Sequence, residues 1–311
     1  MGAPRGADGP KGLDLFGGAS LVAVMLLLAF NQVLIKQTNE GLQPVFAAGL
    51  RSAVAAVCVG LWLWRRGRLT GATRAVAREG TLMGVCFAGE FLCLFLALDL
   101  TTVSHASIIF YSMPVWLALM SHVWLPGDRM TLTKGVGLAM AFAGTVAALF
   151  TRGEAAAGAS VAGDLLALGA ALGWAAQTVI ARRPVMAEAG AEQQLFWMVL
   201  VSAPILLLVS PAFGPLVRAL QPVHIVALLF QGAVVVSGGF ITFLWLLSVY
   251  APTTVASFSF LTPIFGLAIG RLLLSEPLGA RIVVACLLVG AGILLINYRP
   301  SVTVRAASAD L

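Results

Sequence analysis

The chain is a succession of long apolar runs separated by short polar stretches. Ten runs have roughly the 20-residue length that a helix needs to cross a bilayer. They stand at 16–36, 44–64, 80–98, 103–124, 132–150, 162–181, 193–210, 223–248, 254–274 and 279–297. Apolar residues follow one another without the alternation of a membrane β-barrel strand, so each run is expected to be a transmembrane helix. The expected fold class is an all-α polytopic membrane protein with no separate soluble domain. The first run follows Arg5 and Lys11, and no small-residue cleavage site comes after it; it is expected to remain as an uncleaved first helix. Residue 6 is Gly, not Ser or Thr, which argues against N-myristoylation.

Composition narrows the class. Of 311 residues, 60% are hydrophobic and 10% charged, against about 45–50% and about 25% in soluble domains. That excludes an ordinary cytosolic enzyme and a disordered chain. The pI near 9.6 does not signal nucleic acid, because the bases are few and scattered. In membrane proteins such an excess belongs to cytoplasmic loops. With both termini inside, inner segments hold 13 of the 19 Lys and Arg, including Arg65, Arg66, Arg68, Arg74 and Arg78. Outer segments hold five: Lys36, Arg152, Arg218, Arg271 and Arg281. The termini, 1–15 and 298–311, are therefore expected to be cytoplasmic tails of a multi-pass cell (inner) membrane protein. Cys58, Cys86, Cys93 and Cys286 all fall in apolar runs and read as small reduced hydrophobes. No His/Cys spacing suggests a metal, and no cofactor is expected.

The runs repeat. Ile108–Trp116 resembles Ser257–Phe265, placing Pro114 and Pro263 149 residues apart. Gly127-Asp128-Arg129 resembles Ser275-Glu276-Pro277, and Ala143-Gly144 matches Ala291-Gly292, both at a shift of 148. Asn31–Lys36 resembles Gln177–Arg182 at 146. Two five-helix units, 16–150 and 162–297, each with an odd number of spans, must have opposite orientations. Ten helices in two inverted repeats is a design found in secondary transporters.

These residues also carry a family resemblance. Leu261–Leu278, with Pro263 mid-helix and Glu276 after it, followed by a helix containing Gly290 and Gly292, resembles the EamA type of the drug/metabolite transporter (DMT) superfamily. The first half resembles it through Pro114, Asp128 and Gly144, with Asp where the second half has Glu. Trp174 followed by Arg182 is similar to the family's helix-one pattern, of which the first copy keeps Lys36 but has Leu28. Leu50-Arg51-Ser52 is similar to its second-helix Leu-Arg-Phe. The resemblance implies that spans 1, 3, 4, 6, 8 and 9 line a central cavity. It also implies export of small metabolites, amino acids among them.

Intramembrane polar groups are the candidates for chemistry. Arg51 and Glu90 are the charges nearest span centres, and each costs about 2.5–3.5 kcal/mol at mid-helix. They lie on consecutive antiparallel spans within about 3 Å in depth at the helical rise, so they can pair. The pair is either a structural staple or a substrate and proton site in which Glu90 faces the cavity and Arg51 orients it. Asn31 and Gln177 occupy equivalent places and can bond a ligand or a neighbouring helix. Tyr111 shares a face with Ser104 and Ser107; Gln231 and Trp245 flank a Gly-rich stretch. These residues are the candidate substrate contacts. Pro114 and Pro263 free backbone carbonyls and are candidate hinges. His105 is either an end cap or a ligand. Gly80/Gly84, Gly169/Gly173 and Gly266/Gly270 read as small-xxx-small packing sites.

No intramembrane-protease motif and no phosphate-binding Walker loop occur. The expected activity is secondary active transport, with a small-molecule substrate, a lipid bilayer around it, and protons as a coupling ion on the strength of Glu90 alone. A membrane scaffold or an intramembrane enzyme is the alternative. The mixture of one acid, amides and aromatics suits a small zwitterion or an amphipathic cation.

Overall fold

The computed structural model describes residues 14–68, 73–124, 132–150, 158–250, 258–259 and 261–297. Among them the chain is helical throughout, with one isolated backbone bridge between Leu42 and Val217. The helices are α1 (Leu15–Gly41), α2 (Pro44–Arg65), α3 (Arg74–Leu100), α4 (Val103–Phe110), α5 (Met113–Trp124), α6 (Leu132–Leu149) and α7 (Val161–Ala181). They continue as α8 (Pro184–Ala189), α9 (Ala191–Val209), α10 (Pro222–Phe230), α11 (Phe240–Val249), α12 (Leu261–Leu274) and α13 (Ala280–Asn297). The short α8 is not anticipated by the apolar pattern.

Local chemistry fixes several starts. The side chains of Asp14, Gln43, Thr73, Thr102 and Ser160 each accept a bond from a backbone N–H in the first turn that follows. Pro44, Pro184 and Pro222 open their helices, where a missing N–H costs nothing. Seven helical stretches are long and apolar enough to cross a bilayer, and three shorter apolar helices lie at Gly135–Ala148, Leu261–Leu274 and Ala280–Leu295. The protein is a multi-pass helical membrane protein.

Two expected helices are not regular. The fourth run breaks at Tyr111–Ser112, ahead of Pro114, which sits in the first turn of α5. Ser112 holds the break: its Oγ donates to the Ile109 carbonyl at 2.6 Å, and its carbonyl accepts from Val115 N–H at 2.8 Å. The eighth run is continuous, but Gln231–Gly239 is wound as a π-helix between α10 and α11. Three glycines and the Ser237 hydroxyl, bonded to the Gly232 carbonyl at 2.9 Å, accommodate the wider turn. Such segments concentrate at functional sites. Residues 251–257, which include the start of the expected ninth span, lie outside the described residues, as do Asp128, Arg152 and both tails.

The two halves of the chain interdigitate. α3 packs along α7, α2 along α9, and α6 along α13. α1 packs on α12 and on the α10–α11 stretch. Small residues permit the closest of these approaches. A methyl group at Gly144 of α6 would lie 2.7 Å from the Ala285 carbonyl of α13, and one at Gly292 of α13 would lie 2.5 Å from the Gly137 carbonyl of α6. Gly173 of α7 does the same against the backbone of Glu90 on α3. Lipid tails are as apolar as the side chains they replace, so helix association rests on such packing.

Overpacking a tight contact costs about 1–3 kcal/mol. Gly144→Val and Gly292→Val are therefore each expected to lower the unfolding temperature of the purified protein, by similar amounts. Gly18→Ala, where an added methyl meets nothing within 4 Å, is expected to leave it unchanged.

Candidate functional site

A cavity of about 180 Å³ lies at the centre of the bundle. Its wall takes residues from α1, α3, α7 and the π-helix, from both sides of the α4–α5 break, and from Ser259 and Thr262 at the start of α12. Those are the six spans expected to line it. Arg51 of α2 and Leu195 and Met198 of α9 complete it. The lining is mostly apolar and aromatic, with Phe87, Phe91, Phe110, Trp174, Phe240 and Phe243.

Five of the seven polar and aromatic candidates reach it. Glu90, Asn31, Gln177, Tyr111 and Arg51 are buried and line the cavity. Gln177 Nε2 donates to Glu90 Oε2 at 2.5 Å, an approach that Gly173, one turn earlier on α7, makes possible. Arg51 and Glu90 do not form the expected ion pair: no contact within 4.0 Å joins them. Gln177 occupies Glu90, while the Arg51 guanidinium stacks on Phe91 at 3.7 Å and reaches Phe95 at 5.1 Å. Arg51 is thus a wall residue instead of a support behind the wall. Tyr111 stands at the helix break, packed edge-on against Phe110 at 5.2 Å, and shares the cavity wall with Thr262. The equivalent amides Asn31 and Gln177 each keep a buried carbonyl oxygen, Oδ1 and Oε1, without a partner.

Gln231 and Trp245 lie outside the wall. Gln231 is fully buried and donates to Thr38 Oγ1 at 2.9 Å, tying the start of the π-helix to α1. Trp245 is 45% exposed and sits edge-on against Phe16 at 6.2 Å. The run containing both is apolar on every side, so its sequence does not say which face turns inward. Phe240 and Phe243 take the cavity positions. Gln32, whose Oε1 accepts from Ser107 Oγ at 2.5 Å, is a further wall residue that the sequence reading passed over; its adjacency to Asn31 was the available signal. Pro263 is buried near the start of α12. His105 lines no part of the cavity. Its Nδ1 lies 3.2 Å from Asp164 Oδ2.

Polar contacts between the halves gather beyond the cavity's two ends. At the face where α1 ends, Thr101 at the end of α3 donates its hydroxyl to Asp164 of α7 at 2.8 Å. Gly163 makes room for it. At the face where α1 begins, Tyr250 at the end of α11 donates its hydroxyl to Asp14 at 2.7 Å, and Gly17 makes room for that ring. Thr101 and Tyr250 are 149 residues apart, Gly17 and Gly163 146. The hydroxyl donors and the glycines thus obey the spacing of the internal repeat at opposite faces, whereas the acceptors do not: at the 146 shift Asp14 corresponds to Ser160, the cap of α7, and Asp164 to Gly18.

The first latch has strong backing. Glu276 accepts from the N–H groups of Val103 and Ser104 at 2.7 and 2.9 Å, and from Ser104 Oγ at 2.7 Å. Lys36 Nζ donates to the Thr101 carbonyl at 2.6 Å. Arg218 grips both oxygens of Asp99 at 2.7 and 2.9 Å, which pushes the guanidinium further up. Backbone bonds also join Gly41 and Gln43 to Arg218 and Leu216. The other face carries the ion pairs Arg68–Glu192 and Arg183–Glu79 at 3.0 and 2.7 Å, their arginines about half exposed.

A multi-pass bundle around a central, mostly apolar cavity with a few inward polar groups is the architecture of a membrane transporter. The family comparison agrees. The model of the EamA-like transporter family matches residues 15–150 and again 161–298. The chain belongs to that family, and so to the DMT superfamily. It is similar to the uncharacterized transporter YvbV of Bacillus subtilis (strain 168), with 32% identity over 207 residues. That match spans 65% of this chain and 65% of the relative. A solved crystal structure, 20% identical, superposes with a TM-score of 0.60 over 89% of this chain and 96% of its own; at that identity the likeness speaks for the fold.

The placement of the two tryptophans gives a direct check. Trp174→Ala is expected to lower flux in a transport assay by about tenfold, equivalent to some 1.4 kcal/mol of lost contact. Trp245→Ala is expected to leave it within about twofold.

Proposed function

We propose that this transporter exports small amphipathic metabolites, amino acids among them, across the inner membrane. It does so by alternating access between two inverted five-helix repeats. The single observation that carries this reading is the pair of latches, Asp164–Thr101 and Asp14–Tyr250, at opposite faces of one cavity, whose donors and glycines are equivalent by the repeat. Inverted repeats related by a two-fold axis in the membrane plane would produce such a pair. Opening one latch while the other stays shut exposes the cavity to one side at a time. The reciprocal Gly144 and Gly292 contacts obey the same relation.

In this reading the three shorter apolar helices are also spans, giving ten. The excess of Lys and Arg supports cytoplasmic termini, and with them a cytoplasmic Asp14–Tyr250 latch. The heavily bonded Asp164–Thr101 face is then extracytoplasmic and shut. Leu195 and Met198, from the first turns of α9, carry the cavity wall towards the cytoplasmic side, which suits loading from within. The break beside Pro114, and Pro263 in the first turn of α12, serve as hinges. Irregular backbone at membrane depth is tolerated where it lines a cavity. Glu90 is the residue through which substrate or proton binding is felt. Gln177 steadies its carboxylate.

The test is uptake of a metabolite panel into proteoliposomes under imposed pH gradients. Wild type is expected to give saturable flux that responds to the gradient. Glu90→Gln is expected to reduce it by about tenfold or more, the loss of a charge-assisted contact, with an unchanged unfolding temperature. Wild-type flux in that variant would contradict the role of Glu90, and gradient-independent flux would remove the proton from the scheme.

A further inference from the structure

The wall of the cavity carries two kinds of polar group. Its acceptors are the Glu90 carboxylate, Asn31 Oδ1 and Gln177 Oε1. It also carries donors without acceptors. Arg51 is 1% exposed, and its Nε and Nη2 are buried with no hydrogen-bond partner. Gln32 has its oxygen engaged by Ser107, while its Nε2 is buried and unpartnered. Both residues line the cavity.

A guanidinium held out of water normally spends its fork of N–H groups on a carboxylate or a set of carbonyls. Here no protein acceptor takes them. The nearest carboxylate, Glu90, is engaged by Gln177, and the guanidinium carbon lies 3.7 Å from the centre of the Phe91 ring. That contact holds the guanidinium against the ring while Nε and Nη2 stay without an acceptor, the donors with which arginine receives a planar oxyanion. The free N–H groups of Arg51 and the free Gln32 amide N–H are donors, so an anion is the partner that satisfies them.

We propose that Arg51 and Gln32 form an anion subsite inside the cavity that takes the carboxylate of the transported molecule. The inference rests on the transporter reading of the same cavity and deepens it. A carboxylate on Arg51, with a cationic or hydrogen-bond-donating group reaching Glu90, Asn31 and Gln177, describes a dipolar substrate and sets aside the purely cationic one. The aromatic walls between the two poles fit an apolar or aryl middle. No counterpart of this pair of charges stands in the second half of the wall, where Val235, Val236 and Gly239 face the cavity; the substrate is therefore held in one orientation.

The test is equilibrium binding to the full chain in lipid nanodiscs, using 3-phenylpropionate and its amide, 3-phenylpropanamide, by calorimetry. The pair differs only in replacing a carboxylate with a neutral isostere. Wild type is expected to bind the acid about tenfold more tightly than the amide, as a charge-assisted bidentate contact requires. Arg51→Gln is expected to erase that preference while still binding the amide, and Arg51→Lys to keep part of it. If Arg51→Gln does not fold, Gln32→Leu carries the test. It is expected to weaken the acid about threefold and leave the amide unchanged. Equal affinity for acid and amide in wild type would overturn the proposal. So would an acid preference that survives Arg51→Gln, an acid preference undiminished in Gln32→Leu, or no binding of either probe. Acid-selective, Arg51-dependent binding without any flux would leave the subsite standing and remove the transport reading. Flux without that selectivity would do the reverse.

Discussion

A bilayer core supplies no water to an unpaired polar group, so every polar atom carried into it must find a partner within the protein or face a cavity. That constraint accounts for most of the specific contacts in this structure. Ser112 satisfies the backbone at the α4–α5 break, and the Ser237 hydroxyl covers the Gly232 carbonyl in the π-helix. Glu276 fills the exposed N–H groups at the start of α4. Gln231 binds Thr38, and Gln177 binds Glu90. Among the described residues, the buried polar atoms left over on Asn31, Gln32, Arg51 and Gln177 face the central cavity, while those on Asn39, Ser52, His105, Trp197 and Gln231 lie away from it. The cavity holds the one group of them that shares a common space.

Close helix approach is what lets the constraint be met. Gly173 brings α7 against the backbone of Glu90, so that an amide one turn away reaches its carboxylate. Gly163 and Gly17 bring the ends of α3 and α11 against the starts of α7 and α1, and Asp164 and Asp14 find hydroxyl partners there. Packing and hydrogen bonding are thus one arrangement, used twice, once in each direction across the chain's two halves. The proposed exchange of access follows from that duplication. A bond that can form at either end, but on which the bundle does not depend at both, gives two arrangements of similar energy.

Much of this was legible in the sequence, for reasons that differ by residue. The apolar runs are long enough to force helices. Arg51 and Glu90 stood out because charge at such depth is expensive. Asn31 and Gln177 stood out because the repeat aligned them, and both do line the cavity. What the sequence did not supply was rotation about each helix axis. The stretch from Pro222 to Val249 is apolar all round, so Trp245 and Phe240 were indistinguishable, and only packing against α1 turns Phe240 inward. The same blindness hid the stacking of Arg51 on Phe91, which displaces the expected ion pair. The latches were missed although the spacing contained them. Tyr250 and Thr101 read as ordinary helix ends until their partners, distant in sequence, are seen beside them.

The central claim is that one cavity is closed by two latches that open alternately. Electron–electron double resonance on spin-label pairs at Leu100–Val161 and Leu15–Trp245 tests it most directly. All four sites are exposed, and each pair flanks one latch. In nanodiscs, the account predicts that a substitution weakening the first latch, Asp164→Asn, lengthens the Leu100–Val161 distance while the Leu15–Trp245 distance stays short. Weakening the second, Asp14→Asn, should do the opposite. Both distances lengthening together, or neither responding, would contradict it.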